Sequence, residues 1–197
     1  MFRFAGTVAM SALVCFPLQA ADVRTVVRHY TVRGATMQEI ERDFERRGPR
    51  VDSAGGMRHP GATRMEFLSK VDYRQEGGRC RVTGVNITLK ATVTAPRWAG
   101  NRRASAELQR LWPLLSADIR RHEQDHVRIA AEHARLLETR IANVSALGDC
   151  GRAEDAVNRA TAAVMQAHDR AQAAFDRVES RGFQQRMQRL IREAGAS

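Results

Sequence analysis

The hydrophobic periodicity of this chain changes once, at Pro96-Arg97-Trp98-Ala99-Gly100, and that change constrains the fold more than any other feature. Before it, β-branched and apolar residues recur in short runs. Residues 24–33 (RTVVRHYTVR) read as a strand stopped at Gly34, and 63–74 and 80–94 as two strands joined by a turn at Glu76-Gly77-Gly78. Met37, Ile40 and Phe44 are spaced for a short helix over 36–47, ended by Gly48-Pro49, and the Gly-, Pro- and Arg-rich stretch 50–62 reads as a loop. After the break the pattern is helical. Leu108, Trp112, Leu115, Ile119, Ile129 and Leu136 follow one stripe that ends by Gly148, and Pro113 either kinks this segment or opens a second helix within it. A further helix over 152–180 turns Val157, Val164, Ala171, Phe175 and Val178 inward; Gly182 is expected to break it before a short amphipathic tail helix over 183–193. The expected fold is α+β: an N-terminal antiparallel sheet with one short helix (21–100) packed on a C-terminal layer of long helices (104–195), as a single domain over 21–197.

The compartment is read from the N-terminus. Residues 1–20 (MFRFAGTVAMSALVCFPLQA) carry one positive charge, an apolar run and small residues at the end, which is the pattern of a secretory signal peptide cut after Ala20. Elsewhere no apolar run reaches ~18 residues, so a transmembrane segment after signal removal is not expected. Cys15 leaves with the signal, and the remaining pair, Cys80 and Cys150, reads as a disulfide in an exported, periplasmic or extracellular protein. Neither cysteine has the C-x-x-C spacing of a thiolate metal site.

Charge is the weaker guide. The 197 residues hold 32 basic and 22 acidic side chains, a formal net charge of +10, and Lys70 and Lys90 are the only lysines. The arginines are scattered, with short doublets at 46–47, 102–103 and 120–121. That distribution and the export signal argue against nucleic acid and leave an anionic envelope surface open as a partner.

One motif carries chemistry: His122-Glu123-Gln124-Asp125-His126, or H-E-x-x-H, inside the predicted helix. Residues four apart lie one above the other, so His122 and His126 can both reach one Zn2+ ion. Glu123 sits a quarter-turn round, where it can take a proton from water without occupying a ligand position. Both histidines continue the stripe from Ile119 to Ile129, and core-facing imidazoles need partners, which a shared metal supplies. A catalytic zinc also needs a third protein ligand. His133 is two turns, ~10 Å, past His126 and too far along the helix. Glu138 points away. Glu154, Asp155, His168, Asp169, Asp176 and Glu179 of the next helix are the candidates, and spacing does not choose among them.

Several landmarks resemble a known family: Tyr30-Thr31-Val32-Arg33-Gly34, Gly48-Pro49, Thr63, the stretch from Cys80 to Val85, Pro96-Arg97-Trp98, the HEQDH motif and Cys150. The chain is similar over about residues 25–182 to the bacterial predicted secreted zinc-dependent proteases known as domain of unknown function 922. The resemblance implies metallopeptidase activity on a peptide or protein substrate. That family closes with a pattern like Y-D-x-x-T-x-H-G, where this chain has Phe175-Asp176-Arg177-Val178-Glu179-Ser180-Arg181-Gly182. Asp176 and Gly182 are kept, which marks Asp176 as third ligand, with Glu179 or His168 as substitutes. Arg181 cannot replace a histidine ligand, since a guanidinium offers no lone pair.

Two functional classes follow. The first is a zinc-dependent endopeptidase with Glu123 as general base, favoured by the intact motif. The second is a non-catalytic pseudo-peptidase that binds envelope partners through its basic surface, favoured by the altered 175–182 segment.

Overall fold

The computed structural model describes residues 21–51, 56–100 and 102–196; the export signal expected at 1–20 lies outside the described residues. The elements in chain order are β1 (Asp22–Val32), α1 (Met37–Arg47), β2 (Arg50–Val51), β3 (Met57–Arg58), β4 (Ala62–Glu76), β5 (Arg79–Trp98), α2 (Ala106–Ala142) and α3 (Cys150–Ala196). The α+β class and the division into a sheet-rich and a helical half are as the periodicity predicts.

The sheet has the order β1-β5-β4. β4 and β5 form an antiparallel hairpin whose turn residues Gly77 and Gly78 have φ of +56° and +74°, the left-handed pair that a two-residue turn demands. β1, in contrast, runs parallel to β5, so the sheet is mixed rather than wholly antiparallel. A run such as RTVVRHYTVR encodes strand character, not the direction of its neighbour, and β1 reaches β5 only after α1 and the β2–β3 pair intervene. The stretch expected to be a loop holds that small pair, Arg50 opposite Arg58 and Val51 opposite Met57.

β5 alternates strictly over its middle. Ile87, Leu89, Ala91, Val93 and Ala95 are buried toward the helices, where Ile87 and Leu89 share a core with Ala130, Ala134, Leu137 and Ile141 of α2 and Val157 and Val164 of α3. A second apolar cluster joins Val32, Ile40, Phe44, Leu108, Leu115 and Ile119, with Trp98 and Trp112 packed against it. The segment 122–126 of α2 lies between these two clusters, in a helix gripped on both sides.

The structure revises the helix expectations in four places. α2 is one helix through Pro113, which sits near its start, with Ser105 as N-cap accepting a hydrogen bond from the Leu108 amide; it ends at Ala142, capped by Asn143, well before Gly148. α3 continues through Gly182. An interior glycine costs about 1 kcal/mol relative to alanine, and the segment beyond it is anchored: Arg110 donates to the Ala194 carbonyl at 2.6 Å and Arg186 reaches Glu179 at 3.1 Å. Leu136 and Val178, expected inward, are 37% and 64% exposed. The buried stripe of α2 there is Ala130, Ala134, Leu137 and Ile141, one position round from Leu136.

The disulfide Cys80–Cys150 is present and closes a loop of 70 residues. Beside it, Cys80 and Leu147 exchange backbone hydrogen bonds of 2.6 and 2.8 Å, so β5 and the start of α3 are stapled together. Among the described residues, no helix is long and apolar enough to cross a membrane.

Candidate metal centre

His122 and His126 project from one face of α2 toward α3, and their Nε2 atoms are 3.1 Å apart. Asp176 of α3 brings Oδ1 to 3.1 Å from Nε2 of His126 and 3.6 Å from Nε2 of His122. Four ligands at 2.0–2.1 Å around a tetrahedral ion are about 3.4 Å from one another, so these three atoms outline one face of such a coordination shell. Among the described residues, no other group of three His, Cys, Asp or Glu side chains brings its ligand atoms this close together.

The outer partners explain why these atoms converge. Nδ1 of His122 faces the Glu179 carboxylate at 3.4 Å, and Nδ1 of His126 faces the Gln172 carbonyl oxygen at 2.6 Å. The Gln172 amide in turn donates to the His126 carbonyl at 3.1 Å, which fixes the orientation of that side chain. Acceptors on both Nδ1 atoms assign the ring protons there, leaving Nε2 of each ring as a lone pair. Two nitrogen lone pairs and a carboxylate oxygen then point into one gap. A proton on either Nε2 would satisfy one edge of that triangle; a cation satisfies all three. The donor set therefore fits a borderline divalent ion such as zinc.

Glu179 is itself held by Arg121 and by Arg186, and Arg121 also reaches Asp118 at 3.0 Å and Asp125 at 3.2 Å. Burial acts to raise the Glu179 carboxyl, but the bonds to Arg121 and His122 outweigh it and hold the group below the usual carboxylate range. Phe175 lies against both imidazoles, with ring centroids 5.0 Å away in each case, and closes the gap on one side.

Glu123 lies beside the gap rather than in it, within electrostatic reach of His122, His126 and Asp176. It is 4% exposed, and its Oε2 accepts a hydrogen bond from the Thr63 hydroxyl of β4 at 2.8 Å. Burial pushes its carboxyl above the ordinary range, against the Thr63 bond and the two imidazoles, which act downward. Gly61 makes the approach possible: a Cβ there would lie 2.6 Å from Glu123 Oε1 and 3.0 Å from the Ile119 side chain. The preceding residue is tied as well, since the Tyr30 hydroxyl donates to the Pro60 carbonyl at 2.8 Å.

Of the candidates on the second helix, the structure brings Asp176 into the gap and sets Glu179 behind His122. His168 is buried one turn before Gln172, its Nε2 2.9 Å from the Gln172 amide nitrogen and its ring packed on Phe67 and His133. Glu154, Asp155 and Asp169 are exposed and away from the triad. His133 bonds the Ile129 carbonyl, and Glu138 lies about 18 Å along α2 from His126. Gln172, Gly61 and the role of Thr63 are not singled out by sequence reasoning. Gln172 had a signal, being four residues before Asp176 on the same helical face.

The model of the bacterial proteins of unknown function DUF922 matches residues 27–182, which spans β1 to the end of the site-bearing part of α3. The chain belongs to the DUF922 family. No curated protein and no solved structure matches it. Within the DUF922 match lie all the residues of the candidate centre.

Proposed function

We propose that this DUF922 protein is an exported zinc-dependent metallopeptidase. The observation that carries the reading is the convergence of His122, His126 and Asp176 beside a buried glutamate that follows the first histidine directly. Bound by those three residues, zinc would supply Lewis acidity, polarising a peptide carbonyl and acidifying water. Glu123 is the proton carrier: its carboxyl, with pKa raised by burial and its second oxygen held by Thr63, takes a proton from water and passes it to the departing amine nitrogen. Thr63 and Gly61 fix where that proton is held. Glu179 and Gln172 orient the imidazoles. The disulfide and the signal-like residues 1–20 support a periplasmic or extracellular site of action, which N-terminal sequencing of the mature protein from cell fractions checks.

The test separates binding from chemistry. Glu123→Ala should keep zinc and lose hydrolysis of an unstructured protein such as casein; equal turnover by both forms would exclude the mechanism. A non-catalytic zinc protein is the second reading, and Phe175 favours it. A phenyl ring packed on both imidazoles places no hydroxyl where the family's tyrosine would offer a donor to an oxyanion. Stoichiometric zinc without turnover in the wild type would select that reading.

A further inference from the structure

The outer face of the sheet carries a second polar site. A cleft of about 570 Å³ is lined by Arg28 of β1, Arg50 of β2 and Arg64 of β4, over a floor that includes Ala62, Thr92 and Thr94. The register explains the convergence. Arg28 and Ala62 both pair with Thr94, and Arg64 pairs with Thr92, so all five side chains stand on one face. Arg28 and Arg64 are two strands and two residues apart, roughly 12 Å between Cα atoms, and long side chains from both can close on a ligand above the threonines. Arg50 enters from the strand pair that overhangs this face.

Among the described residues, no Asp or Glu lines this cleft. Among the described residues, Arg28, Arg50 and Arg64 make no ion pair, whereas Arg46, Arg47, Arg81, Arg121, Arg128 and Arg186 are each paired with a carboxylate. Three guanidinium groups with threonine hydroxyls between them, and no carboxylate among the described lining residues, would suit a carboxylate ligand. The cleft also abuts the candidate centre. Ala62, Thr63 and Arg64 all line it, and the Thr63 hydroxyl holds Glu123. Thr63 and Arg64 are consecutive on β4, the free edge of the sheet, so an extended peptide rounding that edge, at about 3.3–3.6 Å per residue, reaches from one site to the other within a few residues.

We propose that this cleft is a substrate subsite for acidic side chains, so that the protein selects peptides carrying Asp or Glu within a few residues of the bond at the candidate centre. The clause about the bond rests on the peptidase reading; recognition of the acidic peptide does not.

The test reads binding without turnover. Full-length mature protein, stripped of metal by a chelator, is titrated against a fluorescein-labelled peptide with three consecutive glutamates and against its glutamine counterpart. The wild type should prefer the glutamate peptide by about tenfold or more. The triple variant Arg28→Gln/Arg50→Gln/Arg64→Gln should lose that preference, while Arg135→Gln/Arg159→Gln/Arg170→Gln, which removes equal charge from exposed helix positions, should keep it. Arg64→Glu should shift preference toward a lysine peptide, which keeps the proposal testable if the triple variant folds poorly. Equal affinity for the two wild-type probes, or equal loss in both triple variants, would overturn the proposal. So would cleft-dependent binding of phosphatidylglycerol vesicles with no response to the peptide. If casein turnover proves independent of Glu123 while peptide preference follows the cleft, the subsite stands and the peptidase reading alone falls.

Discussion

The two halves of α3 are held by different forces. From Cys150 to His168 the helix is fastened by burial: Ala153, Val157, Val164 and His168 sit against the core, and the disulfide pins the first residue to β5. From Gln172 onward it is fastened mainly by polar convergence. Gln172, Asp176 and Glu179 face the histidines and arginines of α2, while Val178, Phe183 and Ile191 stand 64%, 50% and 45% exposed. The first half secures the fold. The second brings two imidazoles and a carboxylate together at the candidate centre, where their lone pairs repel one another unless a cation lies between them. Metal binding should therefore stabilise the C-terminal half more than the N-terminal half, since an ion that binds only the folded site adds about 2.7 kcal/mol at 100 times its Kd.

Substitutions on either side of Gln172 should separate these forces. His122→Ala has the largest expected effect on the second half: it removes one of the three candidate ligands and should lower zinc affinity by about a thousandfold or more, read by competition with a chromogenic chelator, with little change in metal-free stability. On the first half, Cys80→Ser/Cys150→Ser should cost about 4 kcal/mol of folding stability from the loop of 70 residues, measured by urea unfolding. An unchanged midpoint would show that the staple adds nothing. Glu179→Gln and Gln172→Leu should each weaken zinc about 10–100-fold while leaving thermal unfolding of the metal-free protein within a few degrees. A large loss of stability without loss of affinity would make them structural.

The smallest effect concerns pH. Burial holds the His168 imidazole below 6.5, against the Asp169 bond, which acts upward. The unfolded chain therefore binds more protons between the folded value and 6.5, so the contribution of His168 to stability is complete above pH 6.5 and is lost as pH falls below it. His168→Gln should flatten that part of the stability–pH curve in metal-free protein. An unaltered slope would assign it to other groups.

The sequence made the centre legible where one helix suffices. His122, Glu123 and His126 follow from spacing and from the stripe that Ile119 and Ile129 extend. Asp176 was marked by its place in the family pattern, because a ligand from a second helix depends on how two helices meet. Gln172 and Thr63 depend on that meeting still more: neither residue type signals a role until an imidazole or a carboxylate arrives beside it. The same limit hid the parallel pairing of β1 and the grouping of Arg28, Arg50 and Arg64, which lie far apart in sequence and meet only across the sheet. Gly182 misled for the opposite reason, since its local cost was outweighed by anchors at Arg186 and Ala194.

Metal content tests the central claim most directly. Mature protein purified without chelators and analysed by inductively coupled plasma mass spectrometry should hold about one zinc per chain, and both His122→Ala and Asp176→Asn should hold far less. A wild type that takes up no zinc from a stoichiometric supply, or variants that retain it fully, would contradict the account.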